Sequence, residues 1–442
     1  MQYQHTRRDF LKASGPVTLA TGMGLAAIQS GHAAADDAAK LVAETVDGWT
    51  EAVKQAVKIR DFLEVRNPKT LPPRLKAQRT LLGIVYKPCV VRTAKGELLV
   101  IAFCQVVVED KIQEPAVLFR SQDDGRTWSE PETLPLLGRE PYFSITRDGT
   151  LFITSHIHGF DPRNQYGRTV NYLHRSTDHG VSWESTPILA WGDLPEGKQG
   201  DPPEKAIWLS RNVLELRDGT LILGACKDRG RYFLWRSADG GKTWDRSIKC
   251  ELEGVENISK AGLEAMLFMA ETVFFEAPNG DLLAFVRADQ KVFPALPGTE
   301  APQESIDHAM RMVVFRSQDG GRRWKLDRPL GSYYGEMYPS VLRLASGKLL
   351  LTFTVRRFRP PLGVQAVLGE ELKDGFQFDF SSDRIVIDDK TPIGQRSGGG
   401  FGPTIQLPDG TLVTAVSFRA PDNLGRPAPH VEVVRWWLPE GT

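Results

Sequence analysis

The sequence predicts an all-β fold, a six-bladed β-propeller with a short N-terminal helical extension. Three observations predict it. An apolar run, a Gly-x-Leu turn and a second apolar run recur six times, and the turn glycines are Gly96, Gly149, Gly219, Gly280, Gly347 and Gly410. A motif of the form Arg-Ser-x-Asp-x-Gly-x-x-Trp occurs four times, at 120–128, 175–183, 236–244 and 316–324. A chain of 442 residues also has a length that all-β repeat folds use as one unit.

Each Gly-x-Leu unit is typical of a β-hairpin, because a small or polar residue and glycine stand between β-prone runs. The glycines are spaced 53, 70, 61, 67 and 63 residues apart, which is enough for about four strands per repeat. In the second motif, Ser and Asp can bond the turn backbone, Gly accepts a positive φ and Trp fills the base of the hairpin. The fifth repeat lacks this motif, with a remnant at 369–375, and the sixth ends at 430–438. A closed ring also requires the apolar segment 80–85 to complete the last blade.

The chain is therefore divided into an export signal at 1–35, a helical or linker segment at 36–79 and a propeller at 80–442. The signal carries Arg7 and Arg8, an apolar stretch at 16–28 and the small residues Ala33, Ala34 and Ala35. This order resembles a twin-arginine export signal with cleavage near Ala35. The resemblance implies a periplasmic or secreted protein, with the twin-arginine export machinery as a partner and no membrane attachment after cleavage.

The overall charge is balanced, with 55 basic and 55 acidic residues. Balance argues against nucleic acid as a partner and against a membrane-surface role driven by net charge, so electrostatic recognition must be local. The four cysteines, Cys89, Cys104, Cys226 and Cys250, are too few for a disulfide framework in a core of this size. Three of them fall in predicted strands, where a buried free thiol is expected.

The repeat also predicts which residues meet at one end of the propeller. Strand 1 of each blade starts at the face where strand 2 ends, so positions nine before and seven or nine after each glycine converge there. The first set is Lys87, Glu140, Ser210, Glu271, Tyr338 and Phe401; the second is Phe103, His156, Cys226, Arg287, Thr354 and Ser417; the third is Gln105, His158, Asp228, Asp289, Arg356 and Arg419. Arg, Glu, Tyr and His at equivalent positions indicate a functional site, and the repeated Asp motifs lie at the opposite face.

These motifs resemble the Asp-box, or BNR, repeat of the sialidase (neuraminidase) superfamily over about residues 80–438. The resemblance implies a glycosidase in which Tyr338 is the nucleophile and Glu271 its base, while Arg287 and Arg311 hold the sugar carboxylate. A carboxylate beside a phenol can accept its proton, and paired arginines bind a carboxylate bidentately.

The chain departs from that family at two places, and a third position is not fixed by the resemblance. Tyr86-Lys87-Pro88 stands where the family has Arg-Ile-Pro, so the first carboxylate-binding arginine is replaced; Arg139, in Arg139-Glu140-Pro141, offers a substitute one blade later. Thr354 stands where the family has a glutamate. The acid/base belongs in the loop after strand 2 of the first blade, where Asp110 is the candidate and Glu109 and Glu114 are alternatives.

The leading hypothesis is an exo-glycosidase that hydrolyses a terminal acidic sugar, sialic acid or a related nonulosonic acid, from a glycan or oligosaccharide. The predicted substrate-binding residues are Arg287, Arg311, Arg139, Glu140, His156, His158, Arg211, Asp228, Asp289, Arg356 and Lys87. One alternative is a hydrolase or polysaccharide lyase for uronic-acid glycans, with His156 or His158 and Tyr338 as acid and base. The other is a non-catalytic carbohydrate-binding propeller. No cofactor or metal is expected, although His156 and His158 with Asp161 have spacing that a metal could use.

Overall fold

The computed structural model describes residues 59–189, 206–227, 231–255, 268–288, 311–327, 330–356, 359–393, 397, 403–422 and 426–442. Strands, turns and irregular segments make up this part of the chain, and none of it is helical. Accordingly, no described helix has the length and apolar character needed to span a membrane. The prediction of an all-β chain is confirmed.

The strands form antiparallel units of four or five strands in chain order, and one parallel pair joins the outer strands of the third and fourth units. The first unit contains β3 (Tyr86–Arg92), β4 (Leu98–Phe103), β7 (Ala116–Ser121) and β8 (Glu132–Thr133); the second contains β9 (Arg139–Ile145), β10 (Leu151–Ile157), β11 (Val170–Ser176) and β12 (Glu184–Ile188). The third contains β13 (Ile207–Leu209) and β14 (Leu214–Glu215), which both pair with β15 (Leu221–Lys227), then β16 (Arg231–Ser237) and β17 (Lys249–Glu253). The fourth contains β18 (Thr272–Glu276), β19 (Leu282–Ala288), β20 (Arg311–Ser317) and β21 (Arg323–Leu326).

The fifth unit contains β22 (Glu336–Arg343), β23 (Leu349–Val355), β24 (Leu362–Leu372) and β26 (Arg384–Thr391), with β25 (Gly375–Phe378) on β24. The sixth contains β27 (Ile405–Gln406), β28 (Leu412–Pro421), β29 (Pro427–Trp436) and β2 (Arg74–Gly83). The short hairpin of β5 (Val106–Val108) and β6 (Lys111–Gln113) leaves the first unit between its second and third strands. Six blades remain the predicted number for the closed ring.

Each predicted Gly-x-Leu turn joins the first two strands of a unit. All six turn glycines have φ between 85° and 90°, the left-handed region in which glycine is free of Cβ strain. Each glycine N–H also donates to the carbonyl oxygen three residues earlier, as in Gly96 to Thr93 at 2.9 Å and Gly410 to Leu407 at 2.9 Å. The hairpins predicted from the glycine spacing are therefore confirmed.

The N-terminal part of the described chain closes the last unit. Strand β2 pairs with β29, with Thr80 opposite Val433, as expected for a segment that completes the last blade. Strand β1 (Phe62–Arg66) pairs with β2 and with β26, so it joins the fifth and sixth units edge to edge. The prediction of a helical or linker segment is wrong over 62–66 and 74–79, where buried and exposed residues alternate as in a half-buried strand. Residues 36–58 lie outside the described part of the chain.

The apolar core lies between neighbouring units. Val100 and Val117 of the first unit, for example, pack with Val413 and Val433 of the sixth. Leu223 of the third unit packs with Phe152 of the second. The last unit thus packs against the first, which is the contact that a closed ring of blades requires.

The Asp boxes build one turn four times. In the box at 316–324, Ser317 Oγ donates to Asp319 Oδ1 at 2.9 Å and accepts the N–H of Gly321 at 2.8 Å, while Asp319 Oδ1 accepts the N–H of Arg323 at 2.9 Å. The box tryptophans differ in burial. Trp324 is fully buried, and its Nε1 donates to the Gly321 carbonyl at 2.8 Å. Trp128, Trp183 and Trp244 are only half-buried.

All four cysteines are buried and free, which confirms the absence of a disulfide framework and extends to the fourth the burial predicted for three. Burial raises the pKa of the Cys89, Cys104 and Cys250 thiols to about 12. These thiols therefore fill space in the core and stay protonated.

Candidate active site

Three equivalent positions share an unusual backbone. Lys87, Glu140 and Tyr338 each precede a proline and have φ of 51°, 54° and 57°. The pairing register shifts next to each of them, so each sits in a β-bulge at the start of its unit. A non-glycine residue in the left-handed region costs free energy, and such positions concentrate at functional sites. A bulge also re-aims a side chain, and the contacts below show these three side chains meeting.

Tyr338 is the centre of the site. Its Oη accepts a hydrogen bond from Nη1 of Arg356 at 2.7 Å and one from Nη1 of Arg287 at 3.2 Å. The same Arg287 nitrogen donates to Oε2 of Glu271 at 2.8 Å. The carboxylate and the phenol therefore flank the guanidinium group of Arg287. Because Glu271 Oε2 and Tyr338 Oη contact the same Arg287 nitrogen, at 2.8 and 3.2 Å, the two oxygens are separated by no more than the sum of these distances. Glu271, Arg287 and Tyr338 lie on the same side of the site.

More cations surround the phenol ring. The Arg211 guanidinium lies 4.6 Å from the ring centroid of Tyr338, and Lys87 Nζ lies 5.3 Å from it. Arg211 also pairs with Glu271 at 3.2 Å. Burial raises the pKa of Glu271, but the charges of Arg287, Arg211 and Lys87 outweigh burial and hold it below its ordinary value. Glu271 is therefore an ionised carboxylate at neutral pH.

A second carboxylate faces Lys87. Glu140 Oε1 accepts from Lys87 Nζ at 2.5 Å and pairs with Nη2 of Arg139 at 3.4 Å. Burial raises the pKa of Glu140, yet the nearby charges of Lys87 and Arg139 hold it well below the ordinary value. Arg139, the predicted substitute for the missing arginine, is one-fifth exposed at the edge of the same cluster.

Arg139 also contacts a third carboxyl group, Glu114. Glu114 Oε1 lies 3.2 Å from Nη1 of Arg139 and accepts from Gln105 Nε2 at 2.5 Å, and its side chain is fully buried. Burial raises the pKa of Glu114 in spite of the Arg139 charge. The N–H of Glu114 donates to Oδ2 of Asp161 at 2.9 Å, so this residue is held on both sides.

Asp110 and Glu109 occupy a different position. They form the exposed turn of the β5–β6 hairpin, with φ of 60° and 48°. The base of this hairpin is flanked by Gln105 and Glu114, both in contact with each other beside Arg139. The hairpin thus rises from the edge of the site and carries Asp110 at its tip.

His156 and His158 lie in the second unit, next to the cations. Burial lowers the pKa of His156 to about 3 and that of His158 to about 4. Both rings are therefore neutral at neutral pH, and Nε2 of His158 lies 3.0 Å from Nη1 of Arg139. Asp161, the third member of the possible metal set, is instead engaged by Arg163, with contacts of 3.0 and 2.7 Å. Its carboxylate is committed to holding its own loop.

The structure thus joins Lys87, Arg139, Glu140, Arg211, Glu271, Arg287, Tyr338 and Arg356 in one network. Arg311 begins β20 and is buried beside Tyr334, whose ring centroid lies 5.6 Å from its guanidinium group. Asp228 and Asp289 lie outside the described residues, as do Phe401 and the export signal.

Two aromatic residues at this face were not predicted. The ring of Trp208 lies 5.2 Å from that of His156, and the ring of Phe160 lies 5.0 Å from that of His158. Trp208 lies eleven residues before the turn glycine Gly219, and Phe160 lies eleven residues after the turn glycine Gly149. Both are therefore two residues farther from the glycine than the positions predicted to converge. Extending the alternation by one more step finds both.

Comparisons with known proteins agree with this architecture. A protein-family model described as a BNR repeat-like domain matches residues 78–266. A search of curated proteins finds no match. The resemblance to Asp-box proteins predicted from the repeats is confirmed.

Solved structures share the fold at low sequence identity. A protein of unknown function from Dyadobacter fermentans superposes with a TM-score of 0.53 and 18% identity, over 84% of this chain and 98% of that one. The NanB sialidase of Streptococcus pneumoniae gives 0.52 and 14%, over 88% of this chain and 72% of that one. An α-L-arabinofuranosidase of Fusarium graminearum gives 0.51 and 14%, over 86% and 98%.

The repeat and the fold together define the class of protein. The chain has the fold of the sialidase-like β-propellers that carry BNR repeats. Its structural neighbours include glycoside hydrolases that act on different sugars.

Proposed function

We propose that this chain is an exported glycosidase that hydrolyses a terminal acidic sugar, sialic acid or a related nonulosonic acid, from a glycan. One observation carries the proposal: the Tyr338 phenol accepts hydrogen bonds from Arg287 and Arg356, and Arg287 also binds Glu271. This arrangement holds a nucleophile and its base around one cation. Location in the periplasm or outside the cell is part of the proposal and rests on the sequence at 1–35.

In the first step, Tyr338 Oη attacks the anomeric carbon while Glu271 accepts the phenolic proton. Phenol is a weak nucleophile near pH 7, so transfer of its proton must accompany attack. Arg287 and Arg356 donate to Oη and stabilise the negative charge that develops there as the proton leaves. The bond to the leaving oxygen breaks as that oxygen is protonated. Water then displaces Tyr338 and gives up a proton to the carboxylate that protonated the leaving oxygen, while Tyr338 regains its own proton from Glu271. Two displacements retain the anomeric configuration.

The charge of the network favours an acidic sugar. Lys87, Arg139, Arg211, Arg287 and Arg356 contribute five cations, against the three carboxyl groups of Glu114, Glu140 and Glu271. The net charge of the network therefore stays positive even if every one of these carboxyl groups is ionised. A sugar carboxylate entering this pocket is attracted, and planar guanidinium groups suit its two oxygens.

The proton donor for the leaving oxygen is proposed to be Asp110. A donor must touch the substrate, and Asp110 is exposed at a hairpin tip that spans roughly 10 Å from its base. Glu114 has a raised pKa, as a proton donor needs, but it is fully buried beside Arg139. We therefore assign Glu114 to positioning Arg139.

The electrostatics disfavour the lyase hypothesis. A histidine base works best with a pKa near the working pH. The pKa values of His156 and His158, about 3 and about 4, make both rings weak bases at neutral pH. The neutral ring of His156 suits hydrogen bonding to sugar hydroxyls instead, whereas both ring nitrogens of His158 already contact Arg139 and Thr169.

The test measures hydrolysis of aryl glycosides of sialic acid and of arabinofuranose by the wild type, Tyr338→Phe and Glu271→Gln. Wild type is expected to release sialic acid alone, and each variant to lose about hundredfold or more of its turnover. Tyr172→Phe, which removes a phenol beside His174 in the second unit, is the control and is expected to retain activity. Release of arabinose alone, an unsaturated product, or undiminished turnover by Tyr338→Phe overturns the proposal. Ligand binding without turnover in the wild type indicates the carbohydrate-binding alternative.

A further inference from the structure

The two sides of the site differ electrically. Arg211, Arg287 and Arg356 lie around Tyr338, so that side is cationic. On the second unit, Arg139 is paired with the carboxylates of Glu114 and Glu140, and the wall beside it is formed by the neutral rings of His156 and His158. A ligand that spans the site therefore meets charge at one end and uncharged rings at the other.

The neutral rings continue outward as a row. Ring centroids are separated by 5.2 Å from Trp208 to His156, by 5.3 Å from His156 to His158, and by 5.0 Å from His158 to Phe160. The row ends at Phe160, a residue that is 52% exposed. An exposed phenylalanine at the edge of a polar pocket gains free energy when a ligand covers it.

The loop that carries Phe160 is braced. Nδ2 of Asn164 donates to the carbonyl oxygens of His158 at 3.0 Å and of Arg168 at 2.6 Å, which ties the two ends of the loop together. Asp161, next to Phe160, binds Arg163 and the backbone N–H of Glu114. Phe160 is thus held in place before any ligand arrives, which lowers the entropic cost of binding.

We propose that this row of rings binds a neutral sugar, the residue to which the acidic sugar is linked. This inference rests on the proposed function, because it places the acidic sugar at Tyr338 and the scissile bond between the two sides. The C–H face of a neutral pyranose is apolar and flat enough to cover the ring of Phe160, and its hydroxyl groups can bond the neutral imidazole of His156. A second acidic sugar gains little here, because Arg139, the cation beside these rings, is already paired with Glu114 and Glu140.

The experiment measures binding by calorimetry in the Tyr338→Phe background, where turnover is expected to be slower by about hundredfold or more. Three ligands are compared: 3′-sialyllactose, methyl α-sialoside and lactose. Phe160→Ala is expected to weaken binding of 3′-sialyllactose by roughly tenfold and to leave methyl α-sialoside unchanged. Phe160→Tyr, which keeps the ring, is expected to restore the lost affinity. Because Phe160 is exposed, its truncation leaves the core intact.

Val181→Ala is the matched control, since Val181 is 75% exposed in an Asp-box turn at the opposite face. Equal weakening of both sialosides by Phe160→Ala, or no weakening of either, overturns the inference. The inference is also overturned if the Tyr338→Phe protein that retains Phe160 binds no lactose-containing ligand. If lactose or its conjugate binds through Phe160 while the wild type cleaves no sialoside, the proposed function fails and the neutral-sugar site stands.

Discussion

Replacing Trp324 by alanine tests whether the Asp boxes are structural. Trp324 is fully buried between the third and fourth units, where its ring lies 5.7 Å from that of Phe268 and 5.8 Å from that of Phe274. Its Nε1 donates to the carbonyl oxygen of Gly321, inside the box turn. The substitution removes the packing and leaves that carbonyl without this donor.

The expected cost follows from burial. Truncation of a buried tryptophan to alanine costs about 3–5 kcal/mol, and loss of a hydrogen bond to a buried acceptor adds about 1 kcal/mol. Trp244→Ala is the internal comparison. Trp244 is only half-buried, with its ring 6.5 Å from that of Phe152, so its truncation should cost roughly half as much. Trp324→Phe should cost about 1–2 kcal/mol, because it keeps most of the ring and loses the hydrogen bond.

Urea unfolding followed by circular dichroism measures these costs, and calorimetry with methyl α-sialoside measures the site. We expect Trp324→Ala to be the least stable variant, with unchanged affinity per folded molecule, because the box turns lie at the face opposite Tyr338. Equal costs for Trp324→Ala and Trp244→Ala would refute the reasoning from burial. A normally folded Trp324→Ala that no longer binds ligand would show that the boxes do more than stabilise the fold.

Two further predictions follow from buried groups. Burial lowers the pKa of His174 to about 4. As the pH falls below about 6.5, the imidazole of His174 is therefore protonated in the unfolded chain before it is protonated in the folded one. The free energy of unfolding should fall by about 3 kcal/mol between pH 6.5 and 4 for this reason. Denaturation midpoints against pH should show a smaller acid slope in His174→Gln than in wild type, and parallel slopes would contradict this. For the buried cysteines, a thiol-reactive disulfide should label none at pH 8 in the native protein and all four after unfolding, and rapid native labelling would contradict their burial.

The sequence predicts the hairpins well because each depends on a local event. A glycine in the left-handed region between two apolar runs is visible within about a dozen residues, as at Gly280. The two N-terminal strands leave a weaker signal in the sequence than the hairpins do. Strand β1 has five residues and acquires its partners from β2 and from β26, with Glu64 opposite Val386. Pairing across such a separation leaves no local signal beyond the short alternation of Leu63 and Val65.

The site could be predicted in position but not in arrangement. Counting from the glycines brings Glu271, Arg287 and Tyr338 to one face, because the start of strand 1 and the end of strand 2 lie at the same end of each hairpin. The count cannot show that Glu114 is buried beneath Arg139 while Asp110 projects from a hairpin, since both lie in one loop of the sequence. Burial and pKa depend on what covers a residue, and the covering groups come from other blades.

The bulges explain how one repeat supplies different chemistry. Lys87, Glu140 and Tyr338 occupy the same position in three units, share the left-handed conformation and precede proline. Proline disfavours the right-handed helical region at the preceding residue, so the choice there lies between extended backbone and the left-handed region. The left-handed choice costs about 1–3 kcal/mol at each position and persists only where the surroundings fix it. Because three units bear that cost in the same way, the backbone places a side chain at the mouth of each, and the identity of the side chain decides whether it becomes a cation, a carboxylate or a nucleophile.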